Sequence, residues 1–202
     1  TGATIYAANT DALHLSVTKA DEKLLIGKEL TRGLGAGGVP SQGREAAKET
    51  ISEIKKTLVG ADMVFICAGM GGGTGTGAAP VIAQLAKETG SIVIGVITMP
   101  FESEKARIDK AEFGLQELRE VTDTTIVLDN NRLVDIAGQL PLTQAFAVAN
   151  ELISTMIKGI VETITLPSLI NLDYADVSTI MRNGGVAVIG IGEADTQNKV
   201  NE

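Results

Sequence analysis

Between positions 63 and 80 the chain reads MVFICAGMGGGTGTGAAP, a short apolar run that breaks into glycines and threonines and then into an alanine-rich helical pattern. This order predicts strand, phosphate loop, helix. Residues 63–68 are apolar on both faces, as in a parallel strand covered from both sides, and Gly69 ends the run. Gly71, Gly72, Gly73, Gly75 and Gly77 leave the backbone almost bare. Its N–H groups can then approach an anion closely and form a nest at the positive end of a helix from about Thr76 to Lys87. The blander reading is a turn that only packs helix against strand. Three glycines would suit that purpose, whereas five interleaved with Thr74 and Thr76 exceed it.

What the loop lacks narrows the chemistry. A Walker A loop needs Gly-Lys-Ser/Thr, and no lysine lies between Asp62 and Lys87, so charge must be met by backbone N–H groups, the Thr74 and Thr76 hydroxyls and a metal. Gly73, Gly75 and Ala78 satisfy the loose dinucleotide pattern G-x-G-x-x-A. That pattern wants an acidic residue closing the next strand, and here the strand ends in Thr-Met-Pro, which disfavours a dinucleotide oxidoreductase. Thr18-Lys19-Ala20-Asp21 imitates the guanine motif of P-loop GTPases, but it precedes the phosphate loop. A second glycine-rich stretch, Gly33 to Gly38, leads into a helix expected from Pro40 to about Leu58. Two such loops in one domain point to one polyphosphate.

With 44% hydrophobic and 21% charged residues among 202, the chain can bury one substantial core, and one α/β domain is expected. A net charge of -8 and a pI near 4.8 disfavour nucleic acid, and aromatics at 3% leave no platform for stacked bases. Cys67 is the single cysteine, which fits a reducing cytoplasm, and its apolar strand predicts a core position. His14 is the single histidine, so no histidine metal cluster is expected. No apolar run is long enough for direct membrane insertion.

Further strands are predicted over 4–8, 23–26, 91–98, 124–128 and 186–191, and helices over 104–121 and 142–164. The last helix carries Leu142, Phe146, Ile153, Ile157, Ile160 and Ile164 on one stripe. Asp173 with Asp176 approximates a capping box before a short helix through Met181.

Gly71 to Gly77, with Asn9-Thr10-Asp11, Arg32 to Gly38, Thr98-Met99-Pro100-Phe101 and Asn171 to Val177, resembles the tubulin/FtsZ family, on its FtsZ side, over nearly all 202 residues. The resemblance implies a Rossmann-like, mostly parallel α/β sheet with helices on both faces. It divides the chain into a GTP-binding domain over 1–140, a central helix over 141–166 and, over 167–202, a catalytic loop, a helix and the start of a second domain. A first strand with its own glycine loop is expected upstream. GTP or GDP with Mg2+ is the implied ligand. Asn9, Ala36, Gly37, Gly38, Gly71, Gly72, Gly73, Thr74, Gly75, Thr76, Gly77, Pro100, Glu104 and Arg107 would meet phosphates and ribose, and Asn130, Phe146 and Asn150 the base. Glu104-Lys105-Ala106-Arg107 lacks the family's glycine and is one residue short. Asn171, Asp173 and Asp176 would act on a neighbour's nucleotide in a head-to-tail homopolymer, with division-protein partners bound through a C-terminal tail. The rival readings are a CetZ cell-shape protein and a nucleotide-binding module without turnover.

Overall fold

The computed structural model describes residues 3–131, 142–165, 179 and 185–186. Strands and helices alternate through most of the chain. In order they are β1 (Tyr6–Asn9), α1 (Ala12–Val17), β2 (Glu22–Leu25), α2 (Lys28–Thr31), α3 (Pro40–Glu49), α4 (Ile51–Leu58), β3 (Met63–Gly69), α5 (Thr74–Glu88), β4 (Ile92–Met99), α6 (Lys105–Val121), β5 (Thr124–Asp129), α7 (Leu142–Thr165) and β6 (Gly185–Val186). Alternation of this kind forces parallel pairing, because each helix carries the chain back to the end of the sheet where it started. Accordingly β3, β4, β5 and β6 lie side by side in that order, all parallel, and β1 pairs with β2, also parallel.

The most completely covered run is β4. Val93 and Ile97 face a cluster with Ala46, Ile54, Ala83 and Leu118 from α3 to α6, while Ile92, Ile94 and Val96 face Ile126 and, from α7, Met156, Ile153, Ile157 and Ile160. This two-residue period places helices on both sides of the sheet. Ile153, Ile157 and Ile160 of the predicted stripe are therefore core positions, whereas Phe146 is exposed. β3 is covered on both faces less completely, Val64, Ile66 and Ala68 packing with the first cluster and Met63 and Phe65 with the second, because among the described residues it pairs with β4 alone.

Cys67 follows from that edge position: it keeps exposed surface instead of sitting in the core. The packing around its sulfur still desolvates the thiolate and holds the thiol above its ordinary pKa, so local crowding rather than residue area sets its titration. A raised pKa leaves less thiolate at any given pH. Alkylation by iodoacetamide should thus run slower at neutral pH than for a free thiol, with its pH–rate midpoint displaced upward; a midpoint at the ordinary value would contradict this.

The single helix expected from Pro40 to Leu58 is two. Thr50 sits between them at φ -104°, ψ 15°. Its hydroxyl donates to the Ala46 carbonyl at 3.1 Å and accepts the Gly27 N–H at 2.9 Å. A threonine that bonds back to the preceding turn competes with helix continuation, and here it fixes the turn that follows β2. The 186–191 strand is described only at Gly185–Val186, where it pairs in parallel with Thr124–Thr125.

Candidate nucleotide site

Helix α5 begins at Thr74, and no side chain caps it at Gly73. The first N–H groups of a helix have no intrahelical acceptor, so this end of a 15-residue helix offers them, with the positive end of its dipole, to a ligand. The loop before it is pinned from inside. Gly71, at φ 94°, donates its N–H to Thr76 Oγ1 at 2.9 Å, and Thr76 is buried. Thr74 Oγ1 instead lies 2.7 Å from Thr10 Oγ1 and remains half-buried at the loop surface.

The glycines divide their duties. A Cβ on Gly77 would stand 1.9 Å from the Pro40 carbonyl oxygen, one on Gly75 2.4 Å from that of Gly69, and one on Gly73 2.8 Å from Ala36 Cβ. These three let α5 lie directly against α3, β3 and the second glycine loop. Only around Gly72, among the five from Gly71 to Gly77, is there open space. Packing thus accounts for more of this motif than its anion-binding reading implies.

The second loop has the same character. Gly37 and Gly38 both adopt positive φ, 58° and 72°, with nothing within 4 Å of where a Cβ would be. Helix α3 starts at Pro40, again without a side-chain cap. Lys110, from α6, donates to the Gly38 carbonyl at 2.9 Å. Ala36 and Gly73 touch, so two uncapped helix N-termini converge.

Beside them opens a cavity of about 250 Å³ lined by Gly72, Pro100, Glu104, Arg107, Asn130 and Phe146, all expected from the sequence, and by Gly69, Met70, Thr98, Met99 and Phe101. The ring of Phe101 meets that of Phe146 edge to face, centroids 5.8 Å apart, which props the α7 aromatic over the opening. Thr98, Met99 and Phe101 were legible only as neighbours of Pro100 in one motif; Met70 carried no signal of its own. The 104–107 segment follows a 3₁₀ turn over Glu102–Glu104, and Glu104 accepts the Phe101 N–H at 3.2 Å and pairs with Arg107 at 2.9 Å. Asn9 does not line the cavity: its side chain accepts the Asp11 N–H at 3.1 Å and shapes the turn after β1. Asn150 is exposed on α7, one turn beyond Phe146. Asn171, Asp173 and Asp176 lie outside the described residues.

Glycine backbones that bring two open helix N-termini together at the carboxyl ends of parallel strands, next to a cavity bearing an amide and an aromatic ring, define a nucleotide-binding α/β domain. Comparison with known proteins makes this specific. The chain matches the Tubulin/FtsZ family, GTPase domain, over residues 1–138, and it belongs to that family. It is 55% identical over 198 residues to cell division protein FtsZ 2 of Methanocaldococcus jannaschii, covering 98% of this chain and 52% of that protein. It superposes on the empty FtsZ dimer structure of M. jannaschii with a TM-score of 0.91 at 52% identity, covering 98% of this chain and 58% of that one. The GTPγS-bound protofilament structure of CetZ2 from Haloferax volcanii shares the fold, with a TM-score of 0.77 at 24% identity over 91% of this chain and 55% of that one. The chain spans about half the length of the curated relatives it matches.

Proposed function

We propose that this chain binds GTP and GDP and that the protein hydrolyses GTP while assembling head to tail into cytoplasmic filaments for cell division. The observation that carries this is the meeting of the two glycine loops beside the Asn130–Phe146 cavity, in a chain of the Tubulin/FtsZ GTPase family. Backbone donors take the phosphates, Arg107 and Lys110 add positive charge at the rim, and the cavity takes ribose and base. FtsZ is favoured over CetZ because the similarity to FtsZ 2 is 55% against 24% for CetZ2. Other division proteins would bind through segments outside the 202 residues.

Mg2+ fits this arrangement. The ion keeps several waters and is held by substrate phosphates plus one or two protein oxygens, not by a dedicated cage. No cluster of three acidic, histidine or cysteine residues occurs among the described residues, while Thr74 Oγ1 and Asp11 Oδ2, the latter beside Gly35, are protein oxygens near the loops. When bound, the ion would offset phosphate charge as GTP is cleaved.

Hydrolysis also needs a group to orient water, and neither glycine loop contains a carboxylate. Glu104 is engaged with Arg107. From Phe146 at the cavity, α7 continues to Thr165, roughly 30 Å at 1.5 Å per residue. Asn171, Asp173 and Asp176 follow that end in sequence, and the separation favours a role at a neighbour's phosphate rather than their own, as groups that complete the next subunit's site.

Base choice supplies the direct test. A side-chain amide presents a donor and an acceptor together, as guanine's edge requires. Asn130→Leu should cost about 1–3 kcal/mol of GTP affinity by leaving that edge unpaired, and Asn150→Leu tests the exposed flank of α7 in the same assay. Titrations in which the unaltered protein binds ATP as tightly as GTP would sink the assignment.

A further inference from the structure

Thr10 is fully buried between the two glycine loops and does not line the cavity. Its carbonyl accepts the Gly35 N–H at 3.1 Å and the Thr31 hydroxyl at 3.1 Å, which ties it to the Gly33–Gly38 loop. Its hydroxyl lies 2.7 Å from that of Thr74, the first residue of α5.

Two hydroxyls in contact own two protons, and the bond between them uses one. Among the described residues the Thr10 hydroxyl has no partner other than Thr74, and it is closed off from solvent. Were Thr74 the donor, the Thr10 proton would be buried without an acceptor, which costs far more than the alternative. Thr10 therefore donates. The Thr74 proton is then free to turn outward, at an uncapped helix N-terminus where an anion is expected. A hydroxyl that accepts one hydrogen bond is polarised into a better donor of the next.

We propose that Thr10 is a positioning residue for nucleotide binding: by donating to Thr74 it aims the Thr74 proton at a phosphate oxygen, and through its carbonyl it couples that orientation to the second glycine loop. This rests on the nucleotide reading above. Thr10 differs from Thr76, whose hydroxyl accepts the Gly71 N–H and serves the loop's shape.

The test is a double-mutant cycle on GTP and GDP affinity, read by displacement of a fluorescent guanine nucleotide. Thr10→Val keeps the shape and removes the proton; it should weaken binding roughly tenfold, and Thr10→Ser should restore it. Thr74→Val should lose a similar factor. The double variant should lose no more than Thr74→Val alone, because the two hydroxyls act as one donor. A purely structural role would instead give losses that multiply, accompanied by a lower melting temperature without nucleotide and no rescue by serine. Thr10→Ala carries the same expectation should the valine variant not fold. Wild-type affinity in folded Thr10→Val or Thr10→Ala, or multiplying losses, would overturn the role of Thr10 and leave the nucleotide site standing. An unaltered chain that binds no guanine nucleotide, or binds ATP equally, would overturn the nucleotide reading and the role of Thr10 with it.

Discussion

Gly77→Ala should destabilise this domain and not merely weaken its ligand affinity. The new Cβ would stand 1.9 Å from the Pro40 carbonyl oxygen and 2.7 Å from the Arg44 nitrogen, both main-chain atoms at the start of α3. Alanine gains about 1 kcal/mol over glycine within a helix. That gain cannot offset a collision of two backbones, because α5 must withdraw from α3 along its first turns, where Gly43 in turn abuts the Gly73 carbonyl oxygen. Overpacking of a rigid site costs about 1–3 kcal/mol and sometimes more, so a loss at or above the top of that range is expected. For a chain of this length it corresponds to a melting temperature lower by roughly 10 °C. Thermal unfolding without nucleotide measures it. A Gly77→Ala protein as stable as its parent would show that the helices are not held at this distance.

The same geometry separates what the sequence made legible from what it did not. The alternation of apolar runs with helical stripes was enough to place β3, α5, β4, α6, β5 and α7, since periods of two and 3.6 are written in the side chains themselves. It did not show that β4 would be covered more completely than β3, because coverage depends on which strand lies in the middle of the sheet, and pairing partners are not written in any one strand. Thr50 ended a helix that its neighbours would have continued, for the sake of a bond to Gly27, 23 residues away in sequence. The glycine motif was found at once, yet its division of labour was hidden. A glycine that lets a phosphate approach and one that lets a helix approach look identical in one dimension. Gly75 illustrates this: the sequence suggests a phosphate probe, whereas its Cβ would strike the Gly69 carbonyl oxygen at 2.4 Å and unseat α5 from β3. Thr10 was legible only as part of the Asn9-Thr10-Asp11 motif, since Thr74 is 64 positions away.

Gly72 is the position at which ligand and fold can be tested apart, and it makes the shared-site mechanism accessible to experiment. Nothing lies within 4 Å of a Cβ added there, and Gly72 lines the cavity, so Gly72→Ala should melt like the parent while losing at least tenfold in nucleotide affinity. Asp176→Ala has the opposite defect: its own nucleotide pocket is complete, and it lacks the carboxylate proposed to serve the next subunit. Loss of a group that orients or deprotonates the attacking water costs about 10²–10⁴-fold, so GTP should bind normally and turn over at that reduced rate. Neither variant hydrolyses GTP well alone. In the proposed head-to-tail polymer each interface would take its pocket from one subunit and its carboxylate from another, so about a quarter of interfaces in a one-to-one random mixture would join an intact pocket to an intact Asp176. At a GTP concentration below the weakened affinity, phosphate release from the mixture should accordingly exceed that of Asp176→Ala by an order of magnitude or more and that of Gly72→Ala at least about two- to threefold. Recovery also requires contact between subunits, and must vanish on dilution below the assembly threshold. If mixing restores nothing, if Asp173→Ala with Asp176→Ala turns over normally, or if hydrolysis per subunit is the same at every protein concentration, the water is oriented from within one chain and the shared site does not exist.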